Sequence, residues 1–217
     1  MTLSLRTWAP DVVARAAPPG RIASVCLFCG ANVGVRATYA GAARELGTLL
    51  AREGIALIYG GGSVGLMNVA ADAALSDGGA VIGVITRALM EREVGHAGLT
   101  ELHVVETMHQ RKLMMAGLAD AFITLPGGYG TFDELCEMLT WDQLGIHAKP
   151  VVVVNLEGFF DGFLAQLDRA VADRLLTTAN RAMLCVAGSV PAALAAARDW
   201  RSPPASAKWF HDPVPEP

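Results

Sequence analysis

Residues 122–141 read FITLPGGYGTFDELCEMLTW. An apolar run stops at Pro126, Gly127, Gly128 and Gly130 follow, and a helical pattern opens with Asp133 and Glu134 near its start. Backbone N–H groups at a helix N-terminus have no intrahelical partner, and the helix dipole adds partial positive charge there. Glycines let an anion reach that backbone without a Cβ in the way, so Gly127 to Gly130, around Tyr129, form a candidate phosphate cradle. Thr131 adds a hydroxyl and is the expected N-cap. A second turn of the same kind, GGGSVG, places Gly61, Gly62 and Ser63 after another apolar run. Neither loop is a dinucleotide fingerprint, because no acidic residue ends the strand after GGGSVG, and G-x-x-x-x-G-K-[ST] is absent. The pair of loops points to a ligand with one phosphate. The competing reading makes these glycines ordinary turns and helix stops.

Glu134 has two readings. Thr131 to Glu134 matches a capping box, in which the glutamate bonds only the N-cap backbone. Its position one turn from the cradle also suits a carboxylate that acts on a bound ligand. Arg111 shares a helical face with Met108, Met115 and Leu118 in MHQRKLMMAGL. A guanidinium in that apolar stripe either snorkels from the core edge or reaches into a crevice, where its fork suits phosphate, ribose oxygens or a leaving group. Lys112, about 100° round the helix, reaches the same anion or lies at the surface. CLFC (26–29) resembles a redox pair, but Cys26 sits inside an apolar strand and not at a helix start. The five histidines form no metal pattern, so no metal is expected. Ser63 lacks the flanks of a nucleophile elbow.

These residues need a scaffold, and the rest of the chain alternates to supply one. Expected strands are 22–30, 55–62, 80–85, 101–106, 121–126, 150–156 and 181–188. Expected helices are 38–54, 65–79, 108–119, 131–145, 159–174 and 189–200, with 86–100 irregular. Such alternation builds βαβ units, hence a Rossmann-like α/β fold: a doubly wound, mainly parallel sheet with helices on both faces. Ligands bind such sheets at strand C-termini near the switch in strand order, so both glycine loops should open on one crevice.

The length of 217 residues suits one domain, here 21–201, between an N-terminal arm (1–20) and a proline-rich tail (202–217). A composition 53% hydrophobic and 18% charged describes a well-buried globular chain. The net charge of −4 gives no reason to expect nucleic acid or an anionic membrane as partner. No apolar run reaches the ~18–20 residues of a membrane span and no secretory signal is evident. Four cysteines in apolar surroundings indicate reduced thiols, so a cytoplasmic location is expected.

YGGGSVGLMN, MHQRKLMM, LPGGYGTFDEL and TWDQLGIHAKPVVVVN together resemble the LONELY GUY family of cytokinin riboside 5′-monophosphate phosphoribohydrolases. The similarity runs from about residue 22 to about 185, and P-G-G-x-G-T-x-x-E with an upstream Arg-Lys is its most specific part. The resemblance implies a Rossmann-like homodimer that hydrolyses the N-glycosidic bond of a nucleoside 5′-monophosphate without a cofactor. It implies Arg111 and Glu134 as the catalytic pair. Lys112, Gly128 to Gly130, Thr131, Thr140 and, in a more variable loop, Glu93 match substrate-binding positions. Met108, Gly127, Gly61, Gly62 and Ser63 complete the candidate binding set. Two departures bear on substrate preference: Asn68 stands where G-L-M-G is usual, and Ala31-Asn32 where serines are usual. An older family label, lysine decarboxylase, finds no support in a chain with three lysines (Lys112, Lys149, Lys208), none in an evident pyridoxal-phosphate context. Alternatives on the same fold are a general AMP nucleosidase and a non-catalytic nucleotide or molybdopterin-type carrier.

Overall fold

Seven short apolar runs become strands because each is bounded by turn residues and followed by a helix that must fold back over the sheet. In the computed structural model, which describes residues 21–93 and 95–202, the chain runs β1 (Ser24–Phe28), α1 (Ala37–Arg52), β2 (Ala56–Tyr59), α2 (Gly65–Ser76), β3 (Val81–Thr86), α3 (Arg87–Glu93) and β4 (Glu101–Val105). It continues through α4 (Met108–Leu118), β5 (Ala121–Thr124), α5 (Tyr129–Gln143), β6 (Val151–Val154), α6 (Asp161–Ala172), α7 (Thr178–Arg181), β7 (Leu184–Ala187) and α8 (Val190–Asp199). The expected arm and the tail beyond Ser202 lie outside the described residues.

The strands form one sheet in the order β4-β3-β2-β1-β5-β6-β7, and every pairing is parallel. Alternate side chains feed two apolar layers. Val25 and Leu27 of β1 pack with α1, α2 and α8, while Cys26 and Phe28 pack with α4, α5 and Phe160. The inner strands are thus buried on both faces, which is why they read as unbroken apolar runs.

Two α-helices were not expected from the sequence, and a short 3-10 helix, Leu156–Gly158, follows β6 where the strand was expected to run on to Leu156. The stretch 86–100, expected to be irregular, opens with α3, and α7 is a single turn capped by the Thr177 hydroxyl. Both are too short for a helical period to show. The last strand is Leu184–Ala187, shorter than expected because α7 ends at Arg181 and its C-cap, Ala182, with the turn after it, takes up the residues before Leu184.

Candidate active site

The order of strands reverses between β1 and β5, so α1 and α5 leave these neighbours toward opposite faces of the sheet. The loops that follow are tied together: the Leu125 N–H donates to the Phe28 carbonyl at 2.9 Å and the Gly30 N–H to the Pro126 carbonyl at 3.0 Å. A cleft of about 490 Å³ opens above them, between Gly30–Gly34 and Gly127–Thr131.

α5 starts at Tyr129 with Gly128 as its N-cap, and no side chain caps it. Its first α-helical bond runs from the Phe132 N–H to the Gly128 carbonyl at 3.1 Å. The N–H groups of Tyr129, Gly130 and Thr131 therefore precede the helical ladder, at the positive end of the dipole. Nothing lies within 4 Å of where a Cβ would stand on Gly128 or Gly130, so this backbone is open to an anion. Tyr129 is almost fully exposed at the lip of the cleft.

Thr131 is consequently not the N-cap, and the expected capping box with Glu134 does not exist. Thr131 is buried beneath Gly127, where an added Cβ would stand 2.0 Å from its Oγ1. The helix begins earlier than the threonine suggested because Tyr129 and Gly130 accept helical geometry themselves. A capping box does form one helix earlier: the Gln110 N–H donates to Thr107 Oγ1 at 3.1 Å, and the Thr107 N–H to Gln110 Oε1 at 3.2 Å.

Relieved of capping, Glu134 accepts a hydrogen bond from Arg111 Nη1 at 3.0 Å. Both residues are buried and both line the cleft. Arg111 Nε also donates to the Val84 carbonyl at 2.9 Å. Of the two readings of Arg111, the crevice is the one observed. Burial pushes the Glu134 carboxyl above the ordinary glutamate value; the charge and hydrogen bond of Arg111 oppose that push without cancelling it, and Asp133 adds to it. Burial, with Glu134 nearby, also raises the Cys29 thiol, leaving it protonated and unreactive in the cleft wall. Cys26 and Cys29 are both free and point into different layers. Cys136, expected in apolar surroundings, is exposed.

Other expected site residues lie elsewhere. Gly61 and Gly62 are not in the cleft wall: Gly61 has φ +75 and accepts the His96 N–H at 3.1 Å, and Gly62 bridges Gly95. Ser63 is half-buried just before α2 and is likewise absent from the wall. The second glycine loop thus underpins the site instead of opening on it. Lys112 turns away to Asp133 and Glu137, each at 3.0 Å. Burial opposes its charge, but these carboxylates outweigh that and raise its pKa. Thr140, exposed on α5, donates its hydroxyl to the Cys136 carbonyl at 2.8 Å and lies outside the cleft wall. Glu93 ends α3; its side chain lies outside the described residues. Met108 does line the cleft, joined by Met67 and Leu89, which sequence reasoning passed over. Leu89 belongs to the unexpected α3.

An all-parallel, doubly wound sheet carrying an open helix start beside a buried Arg–Glu pair at its switch point places the chain among Rossmann-like α/β proteins. Comparison with known proteins narrows this. A family model described as "Possible lysine decarboxylase" matches residues 67–197. The probable cytokinin riboside 5′-monophosphate phosphoribohydrolase LOGL1 of Oryza sativa subsp. japonica is 52% identical over 158 residues, spanning 73% of this chain and 71% of that protein. The cytokinin riboside 5′-monophosphate phosphoribohydrolase of Rhodococcoides fascians is 44% identical over 191 residues, spanning 88% of this chain and 96% of its own. The chain belongs to this family, the LOG family. On fold, the molybdenum cofactor carrier protein of Chlamydomonas reinhardtii superposes with a TM-score of 0.61 at 23% identity, covering 81% of this chain and 95% of that one. The label in the family model's description has no counterpart in the cleft, since among the described residues neither Lys112 nor Lys149 lines it.

Proposed function

We propose that this chain is an N-glycosyl hydrolase that cleaves N6-modified adenosine 5′-monophosphates into a free cytokinin-type base and ribose 5-phosphate. The observation that carries this reading is the buried Arg111–Glu134 pair at 3.0 Å, one helical turn beyond an unobstructed helix N-terminus. The names of the relatives agree with it.

In this reading the N–H groups of Tyr129 to Thr131 hold the 5′-phosphate, and that remote binding positions the ribosyl bond. Breaking the C1′–N bond develops oxocarbenium character on ribose and negative charge on the base. The Glu134 carboxylate stabilises the cation and takes a proton from water as its oxygen bonds to C1′. The departing base takes a proton from solvent and Glu134 returns its own to solvent, so one water is consumed for each bond broken. Arg111 keeps Glu134 ionised against its burial and orients it.

Met67, Leu89 and Met108 give the cleft an apolar wall suited to a base. Residues 21–201 form the single nucleotide-binding domain, and the enzyme works as a cytoplasmic homodimer without a cofactor. Light scattering at twice the chain mass checks the dimer, and a monomeric mass rejects it.

Ribose 5-phosphate release from isopentenyladenosine 5′-monophosphate and from AMP tests the activity, with Glu134→Gln as control. The expected outcome is much faster release from the prenylated nucleotide, lost in Glu134→Gln. Equal rates on both would make the protein a general nucleosidase. Binding without release from either would remove the enzymatic reading, and undiminished activity in Glu134→Gln would remove the role of Glu134.

A further inference from the structure

Three groups fix the guanidinium of Arg111. Nε donates to the Val84 carbonyl at 2.9 Å and Nη1 to Glu134 Oε1 at 3.0 Å. Nη2 lies over the α-carbon of Gly60, the residue after β2: a Cβ there would stand 2.0 Å from Nη2 and 3.2 Å from Cζ. It would also meet Met67 Sδ at 3.2 Å, but a flexible methionine can yield. The guanidinium cannot, since any shift large enough to clear a methyl group breaks the bonds to Val84 or Glu134.

Gly61 and Gly65, by contrast, have φ of +75 and +64, a left-handed geometry that itself favours glycine. Gly60 is not among the positive-φ glycines, so no left-handed geometry calls for glycine there. What requires glycine at 60 is the space taken by Arg111.

We propose that Gly60 is a positioning residue for the reaction: its bare α-carbon seats the Arg111 guanidinium in the one placement that meets Glu134. The inference rests on the reading of Arg111 and Glu134 as the reacting pair. Gly60 is not part of the cleft wall and need not touch substrate; it acts through Arg111. A displaced guanidinium leaves Glu134 facing Lys112 from α4, Asp133 from its own helix, and Cys26 and Cys29 from the β1 side. Without Arg111 close by, burial raises the carboxyl further. Fewer molecules then carry the ionised form at a given pH.

The test is a double-mutant cycle of Gly60→Ala and Arg111→Lys, read by kcat, KM, the pH profile of kcat/KM and melting temperature. Gly60→Ala is expected to lower kcat about a hundredfold, as a displacement of about 1 Å in a catalytic group does. KM should change little, because the phosphate cradle is elsewhere, and the acid limb of kcat/KM should move to higher pH. Lysine lacks Nη2, so Gly60→Ala should cost almost nothing further in the Arg111→Lys background. Wild-type kcat and pH profile in Gly60→Ala, or losses that multiply independently, would overturn the proposal. If Gly60→Ala folds poorly, melting temperature decides: Arg111→Lys should restore it, and failure to do so would show that the backbone itself needs the glycine. Undiminished turnover in Glu134→Gln would refute the reading of the pair while leaving the melting-temperature cycle as a test of the seat.

Discussion

At residue scale, the cleft is organised by what is left out of it. Gly127 has no Cβ because Thr131 Oγ1 would be 2.0 Å away and the Gly30 N–H nitrogen 2.8 Å away. That contact holds the loop after β5 flat against the loop after β1. Gly127→Ala is expected to push the loop and the first turn of α5 apart. KM for a nucleoside 5′-monophosphate should rise roughly tenfold, the value of a lost hydrogen bond to a charged group. Turnover of the corresponding nucleoside, which has no phosphate, should be unaffected by the change. Equal losses on both substrates would place the phosphate elsewhere.

At element scale, α4 carries Arg111 and is secured at both ends. Its N-terminus has the Thr107–Gln110 capping box, and in its last turn the Ala116 carbonyl accepts from Lys149 Nζ at 2.7 Å. Lys149 is buried, and burial lowers its pKa from 10.5 to about 8, against the opposing pull of Asp120. Between those values the unfolded chain holds a proton that the folded chain has released, so Lys149 favours folding more as pH rises through this window. Buried Cys26, Cys29 and Tyr59, with raised pKa values, act in the opposite direction; comparison with Lys149→Met cancels Cys29 and Tyr59, and Cys26 apart from its coupling to the lysine. Wild type should gain up to about 3 kcal/mol over Lys149→Met between pH 8 and 10.5, read from urea unfolding at each pH. A difference that stays flat across the window would reject the buried-lysine account.

At the scale of the whole molecule, the sheet stands between two helical layers, and within one of them the spacing of neighbouring helices depends on small residues. α1 and α2 touch at Gly47, where a Cβ would fall 2.1 Å from the Ala70 carbonyl oxygen and 2.9 Å from the Ala74 nitrogen. Both are backbone atoms of α2 and cannot yield without moving the helix. Gly47→Ala should therefore cost about 1–3 kcal/mol or more through overpacking, seen as a lower urea midpoint. Gly41→Ala is the matched control on the same helix: it is exposed with nothing within 4 Å, and should stabilise by roughly 0.5–1 kcal/mol. Equal effects at both positions would mean that helix propensity, not the close approach of α1 and α2, governs this face.

The alternation of strands and helices is legible in the chain alone, because strands buried on both faces are apolar throughout and turn residues such as glycine and proline end them. The sequence also marked the loop at Gly127–Gly130 and singled out Arg111 and Glu134, since an arginine in an apolar stripe and a carboxylate beside bare backbone are each unusual. That these two meet follows from packing. They lie 23 residues apart on separate helices, and the contact depends on β1, β3 and β5 setting the register between α4 and α5. The same packing turned Lys112 toward Asp133 and Glu137, moved the helix start ahead of Thr131, and made Gly60 the floor under a guanidinium. None of these is written in local spacing, because each is a matter of which side chain occupies a given volume.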